Sequence, residues 1–194
     1  GLSDYGKYEN YMARQITRWS KQYKDSETTL IPEMDNLIEW LPQNIPLGEE
    51  TSIVHGDFRL DNMVFDKKTN EVIAILDWEL STLGHPIADF TYHMMTWRMP
   101  LGVQGIGILG ANLKELNIPN EDEYAEAYYQ KTNRNEIQNW DFFLAYNMFR
   151  LAGITQGIAG RVRDGTASSD QAKQYGAFVP ILSKMAWKIV EGIK

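Results

Sequence analysis

Tyr8, Tyr11, Met12, Ile16, Trp19 and Tyr23 recur at three- and four-residue steps, the interval that gathers side chains onto one face of an α-helix. Ser3 or Asp4 is the expected cap of that helix. Pro32 with Glu33 has the form of a second helix start, with Met34, Leu37, Ile38 and Leu41 as its stripe and Pro42 and Pro46 to end it. The period then changes. Ile53 and Val54 make a short strand at most, whereas 63–65 and 72–76 are apolar runs joined by the polar stretch 66–71, which predicts a β-hairpin. Pro86 suits the first turn of a helix carrying Ile87, Phe90, Met94 and Trp97. Asn120, with Glu123 three residues on, is a capping-box pattern ahead of Tyr124, Ala127 and Tyr128. A long helix is predicted over about residues 140–160, burying Phe143, Tyr146, Leu151 and Ile154. Ser169 is the expected cap of a last helix holding Phe178, Leu182, Met185, Ile189 and Val190. Pro180 lies inside that pattern and should kink or split it, since it removes a backbone donor. The predicted fold class is mainly α (α+β), with one small hairpin.

With 194 residues, 43% of them hydrophobic, the chain is expected to bury a full core as a single domain. No window approaches the roughly 18–20 consecutive apolar residues of a membrane span, and no basic, apolar leader is seen. Lack of cysteine excludes disulfides, thiolate catalysis and Cys-ligated zinc. A net charge of -7 without any Lys/Arg run leaves nothing to follow a phosphate backbone, so neither nucleic acid nor membrane is an expected partner. A cytoplasmic location is the base expectation. The three histidines are too scattered for a zinc site, with His85 read as a loop residue and His93 as a helix-face residue.

The chemistry concentrates in His55-Gly56-Asp57, followed by Asn62 and, fifteen positions later, by Asp77. Asp-x-x-x-x-Asn is the spacing of a kinase catalytic loop, in which the Asp takes the proton of the attacking hydroxyl and the Asn holds magnesium. Pairing the hairpin's two runs brings Asn62, just before the first, beside Asp77, just after the second. Two oxygen ligands then converge, as magnesium requires. Asp57 is thus the expected base, with Asn62 and Asp77 as ligands of the Mg2+ that bridges ATP phosphates. A G-x-G-x-x-G string at Gly105, Gly107 and Gly110 is set aside, because it follows Met99-Pro100 rather than a strand and is soon stopped by Pro119. It is expected to be a loop beside the substrate site.

Ile53-Val54-His55-Gly56-Asp57-Phe58-Arg59-Leu60-Asp61-Asn62, Ile75-Leu76-Asp77-Trp78-Glu79 and Gly84-His85-Pro86-Ile87-Ala88-Asp89 closely resemble the aminoglycoside phosphotransferase/choline kinase family. The closest likeness is to the phosphotransferase-like domains fused to, or encoded with, acyl-CoA dehydrogenases, and Phe149 to Gly157 resembles the same subgroup. The resemblance implies a protein-kinase-like fold of which residues 1–194 are the larger, helical C-terminal lobe. Arg59 then stands where protein kinases keep a lysine near the transferred phosphate, although pairing with Asp61 is the simpler alternative. His55 is expected to pack beneath the metal-binding segment. Asp89 resembles the helix Asp that receives backbone N–H groups of the catalytic loop. Glu79 replaces the Gly of Asp-Phe-Gly and is left with at most a metal or water contact.

Only about eight residues separate Asp77 from the helix begun at Pro86, too few for a peptide-docking activation loop. The expected acceptor is therefore a small molecule, and the acyl-CoA-dehydrogenase likeness suggests a hydroxyacyl compound. Residues 1–54 read as helices rather than as the strands, glycine loop and lysine that grip ATP. The N-terminal nucleotide-binding lobe is thus expected to be absent from the chain and supplied by a fused or associated domain, an acyl-CoA dehydrogenase among the candidates. The face awaiting it would favour self-association, a homodimer being the simplest form. Three functions follow from these readings. The first is an ATP-dependent phosphotransferase lobe, nearly inactive in isolation. The second is a non-catalytic binding or assembly module of kinase descent. The third and weakest is a metal-dependent phosphoesterase using Asp57, Asn62, Asp77 and His85. Arg150, Arg161 and Arg163 are candidates to meet an anion, with solvated helix positions as the plainer expectation.

Overall fold

The computed structural model describes residues 4–48, 50–102, 107–134, 138–167 and 172–193. Helix α1 spans Tyr11–Ser26 and α2 Pro32–Gln43. The expected start at Ser3 or Asp4 is wrong: Asn10, in the left-handed region, precedes the first turn, and Tyr8 stays outside the helix at 60% exposure. Met12, Ile16, Trp19 and Tyr23 do form the buried stripe. Pro42 falls in the last turn of α2 and the helix ends one residue later.

Four short strands follow: β1 Ser52–Val54, β2 Met63–Phe65, β3 Val72–Ile75 and β4 Thr82–Gly84. The predicted hairpin is β2 with β3, antiparallel in the register Met63↔Ile75 and Val64↔Ala74. Strand β1 pairs antiparallel with β4, a partner the apolar pattern did not reveal. Residues 55–81, which include the hairpin, are therefore an insertion between the two strands of a small frame. Gly84 lets that frame close, since a Cβ there would come within 2.8 Å of both the Tyr11 ring and Val54.

Helix α3 spans Pro86–Met94, and Trp97 lies just beyond it in a tight turn, Met95–Trp97. Helix α4, Glu121–Thr132, starts with the predicted capping box: Asn120 Oδ1 accepts from the Glu123 N–H at 2.9 Å and Glu123 Oε2 from the Asn120 N–H at 2.9 Å. Helix α5, Trp140–Arg163, is the central element and packs against α1, α3 and the last helix. It is buried almost all round, as a helix at the centre of a domain must be. Pro180 splits the C-terminal pattern rather than kinking it. A short α6, Ala172–Tyr175, precedes α7, Phe178–Ile193, and Pro180 sits in the first turn of α7. A missing N–H has no intrahelical partner to lose there. Ser169 and Gly105 lie outside the described residues. Tyr146, Met148, Phe149, Leu182 and Val190 are at most 1% exposed and mark the core. Among the described residues no helix is long and apolar enough to cross a membrane.

Candidate active site

The segment His55–Asp57 leaves β1 and enters no regular structure, so its backbone groups need other partners. Asp89, in the first turn of α3, accepts from the His55 N–H at 2.7 Å through Oδ2 and from the Gly56 N–H at 2.8 Å through Oδ1. The Asp57 N–H donates to His55 Nδ1 at 3.2 Å. With Nδ1 accepting, His55 Nε2 carries the proton that faces the Leu76 carbonyl at 2.8 Å. The buried His55 ring thus ties the loop to the residue before Asp77. Gly56 holds φ at +85°, and a Cβ there would stand 2.8 Å from the Leu80 carbonyl oxygen. Its own carbonyl accepts from Arg150 Nη2.

Asn62 ends a tight turn, Leu60–Asn62, directly before β2. Its Nδ2 donates to the Asp57 carbonyl at 2.9 Å and to Asp57 Oδ2 at 3.1 Å, which leaves Oδ1 as the atom a cation would take. The Leu76 N–H donates to the Asn62 carbonyl at 2.8 Å, so the hairpin ladder runs up to the residue before Asp77. Asp77 then turns out of the strand in the left-handed region, φ 64° and ψ 52°. Non-glycine residues held there concentrate at functional sites, Asp tolerating it better than most. Among the described residues no three His, Asp or Glu side chains form a metal-holding group. The candidate ligands, the Asn62 carboxamide oxygen and the Asp77 carboxylate, are hard oxygen donors of the kind that suits magnesium and its retained waters.

Arg59 is paired with Asp61, Nε to Oδ2 at 2.8 Å, the simpler alternative left open by the sequence. Glu79 is exposed in the turn Trp78–Leu80. His85 lies, as expected, in a connection, the single residue between β4 and α3, but it is buried: it caps α3 by accepting from the Ile87 N–H at 3.2 Å, with its ring 4.7 Å from that of Phe143. Asp89 is half-buried. Arg161 and Arg163 are exposed, and Arg163 pairs with Asp164 at 2.8 Å. Arg150 is neither solvated nor open to an anion, being 8% exposed in the middle of α5.

Tyr92 escaped the sequence reading, and Arg150 entered it only as a candidate to meet an anion. Tyr92 lies within side-chain hydrogen-bonding reach of Asp57, and Arg150 stacks on the Tyr92 ring at 4.6 Å. Tyr92 stands one helical turn after Asp89, a spacing that would have placed it on the loop-facing side of α3. A cavity of about 430 Å³ opens beside the loop, walled by Phe58, Tyr92, His93, Trp97, Ile118 and Tyr124. That size suits a small-molecule site. His93 packs edge-on against Trp97 and tilted against Tyr124, with ring centroids 5.5 Å apart in each case, and burial pushes its imidazole below its ordinary value. Ile108, from the described part of the glycine-rich segment, also lines the cavity.

A mainly helical body with a hairpin and catalytic loop inserted into a two-stranded frame is the C-terminal helical lobe of a protein-kinase-like fold. Residues 1–138 match the phosphotransferase enzyme family, and the chain belongs to it. A crystal structure from Ralstonia eutropha JMP134, described as a "putative aminoglycoside phosphotransferase", is 52% identical with a TM-score of 0.94, over 99% of this chain and 59% of that one. Acyl-CoA dehydrogenase family member 10 of Mus musculus is 41% identical over 187 residues, 96% of this chain and 18% of that protein. Acyl-CoA dehydrogenase family member 11 of Homo sapiens is 40% identical over 185 residues, 94% of this chain and 24% of that protein. The chain thus spans about a quarter or less of these curated relatives.

Proposed function

We propose that the chain is the C-terminal lobe of an ATP-dependent small-molecule kinase that transfers the γ-phosphoryl group to an acceptor hydroxyl. The observation that carries this reading is the joining of Asp57 to Asn62 by side-chain hydrogen bonding, with the hairpin ladder setting Asp77 next in line. Asp57 orients the hydroxyl and takes its proton. Asn62 and Asp77 hold magnesium, which when bound neutralises charge on the ATP phosphates. The adjoining cavity receives the acceptor. Its aromatic and aliphatic walls suit a compound with an apolar body better than a polycation, and a hydroxyacyl compound meets that description. Arg59 remains a candidate to meet the transferring phosphoryl group if it exchanges Asp61 for that anion.

The described strands form only two two-stranded sheets. We therefore place the nucleotide-gripping lobe outside residues 1–194, in a fused or associated domain. The same observation favours a second reading, a binding or assembly module that has kept the site residues by descent. One experiment separates them: a metabolite panel incubated with the protein in its full reading frame and Mg-ATP, followed by phosphorus NMR. The kinase reading expects a phosphorylated product that falls by at least about 10²-fold in Asp57→Asn, the lower range for loss of a general base. Product formation untouched by Asp57→Asn would remove the base assignment. No product from any hydroxyl compound would favour the module.

A further inference from the structure

We infer that Tyr92 and Arg150 are a positioning pair that sets the rotation of the Asp57 carboxylate, a role that rests on the phosphotransferase reading. Both are deeply buried, at 6% and 8% exposure, on two different helices. The Arg150 guanidinium carbon lies 4.6 Å from the Tyr92 ring centroid and 5.6 Å from that of Trp19, so one cation is held between two aromatic rings. The same guanidinium donates through Nη2 to the carbonyl of Gly56, the residue before Asp57. Its Nε is buried with no partner. A buried arginine with an unmet donor is a poor way to fill space. An apolar side chain of similar volume would serve packing at least as well. What arginine adds is a rigid link between the loop backbone and the Tyr92 ring.

Tyr92 completes the link. Its phenol is coupled to the Asp57 carboxylate, and its side chain is part of the cavity wall. Burial first, then the Asp57 carboxylate, push the phenol up to about 12 against the opposing pull of Arg150. At neutral pH it is therefore a hydrogen-bond donor. Asn62 Nδ2 supplies another donor, to Oδ2 of the same carboxylate. Tyr92 and Asn62, on separate elements, together limit how far the carboxylate can turn. Without the phenol the group turns more freely, and productive alignment with a hydroxyl is populated less often.

The test compares Asp57→Asn, Tyr92→Phe, their double variant and Arg150→Lys in the full protein. Mg-ATP cleavage with water as acceptor is read by phosphate release. Tyr92→Phe is expected to lower kcat about 10- to 100-fold. KM for Mg-ATP should stay within about twofold, because the interaction is not one that binds nucleotide. In the Asp57→Asn background Tyr92→Phe should cost nothing more, since a positioning residue has nothing left to position. Arg150→Lys keeps the charge but loses the planar fork, and should fall in the same direction. An undiminished kcat in Tyr92→Phe, or losses that add in the double variant, would overturn the inference. Wild-type turnover in Asp57→Asn would instead overturn the kinase chemistry itself. A readout independent of turnover is the 13Cζ resonance of Tyr92, assigned by its absence in Tyr92→Phe. It should move in Asp57→Asn, and its indifference would dissolve the pair whatever the kinetics.

Discussion

The peptide groups around Asp57 are satisfied one by one by side chains: Asp89 for two N–H groups, the His55 ring for a third, Arg150 for the Gly56 carbonyl and Asn62 for that of Asp57. A loop so fully bonded keeps its geometry without help from a sheet. The hairpin between Asn62 and Asp77 was legible because spacing and alternation are properties of the chain itself. Tyr92 and Arg150 were not. An aromatic on a helix reads as core, and an arginine reads as solvent-facing until the packing of α3 against α5 is known. His93 offers a check at this scale. Burial lowers its folded value below the unfolded one, so the neutral form is the one the fold accommodates. Its contribution to stability is fully present above the unfolded value of about 6.5 and is lost as pH falls through the lower folded value. Replacing it, as in His93→Gln, should flatten the decline in melting temperature between about pH 6.5 and 5. An unchanged pH profile would show that the ring is freely hydrated.

At the level of elements, the long apolar periods were easy to read and the three-residue strands were not. Thr82–Gly84 is too short to show alternation, and it becomes a strand only because Ser52–Val54 lies beside it. The start of α1 failed for a related reason: Tyr8 continues the helical interval, but Asn10, two residues after it, takes a left-handed backbone and the helix begins only at Tyr11. The junction that aims the site is between α3 and α5. Asn147, fully buried on α5, donates through Nδ2 to the Ala88 carbonyl and to Thr91 Oγ1, both at 2.9 Å. Ala88 immediately precedes Asp89, so this bond fixes the helix that carries the loop's main acceptor. Asn147→Ala removes both bonds, at a cost of about 1–3 kcal/mol from roughly 0.5–1.5 kcal/mol for each. At roughly 2–4 °C per kcal/mol for a chain of this size, the melting temperature should drop by several degrees. Turnover of the full protein should fall with it. A melting curve superimposable on wild type would mean that packing alone holds α3 in place.

For the molecule as a whole, the site lies at a surface instead of in a closed cleft. Leu60, Phe65, Val72, Ile73, Leu76, Trp78 and Leu80 are all exposed, and all belong to the hairpin or the turns that flank it. Seven exposed apolar side chains gathered on one hairpin and its flanking turns, beside the candidate site, are more than the scattered exposure normal for a surface. The solved relative carries further chain beyond the 59% that this one covers, and the curated relatives carry far more. Covering the patch with a nucleotide-gripping lobe would do two things at once. It would take those side chains out of water, and it would place phosphate-binding groups opposite Asn62 and Asp77. Calorimetric titration with Mg-ATP puts this to the test. Residues 1–194 should bind in the millimolar range, where magnesium ligation alone must order the phosphates, and the full reading frame should bind at least about tenfold more tightly, a gain of 1.4 kcal/mol. Light scattering on residues 1–194 should show self-association through the uncovered face, reversed by Ile73→Lys on the hairpin. Equal affinity in the short and long forms, together with a short form that stays monomeric at high concentration, would mean that the patch covers nothing and that the nucleotide is held by this lobe alone.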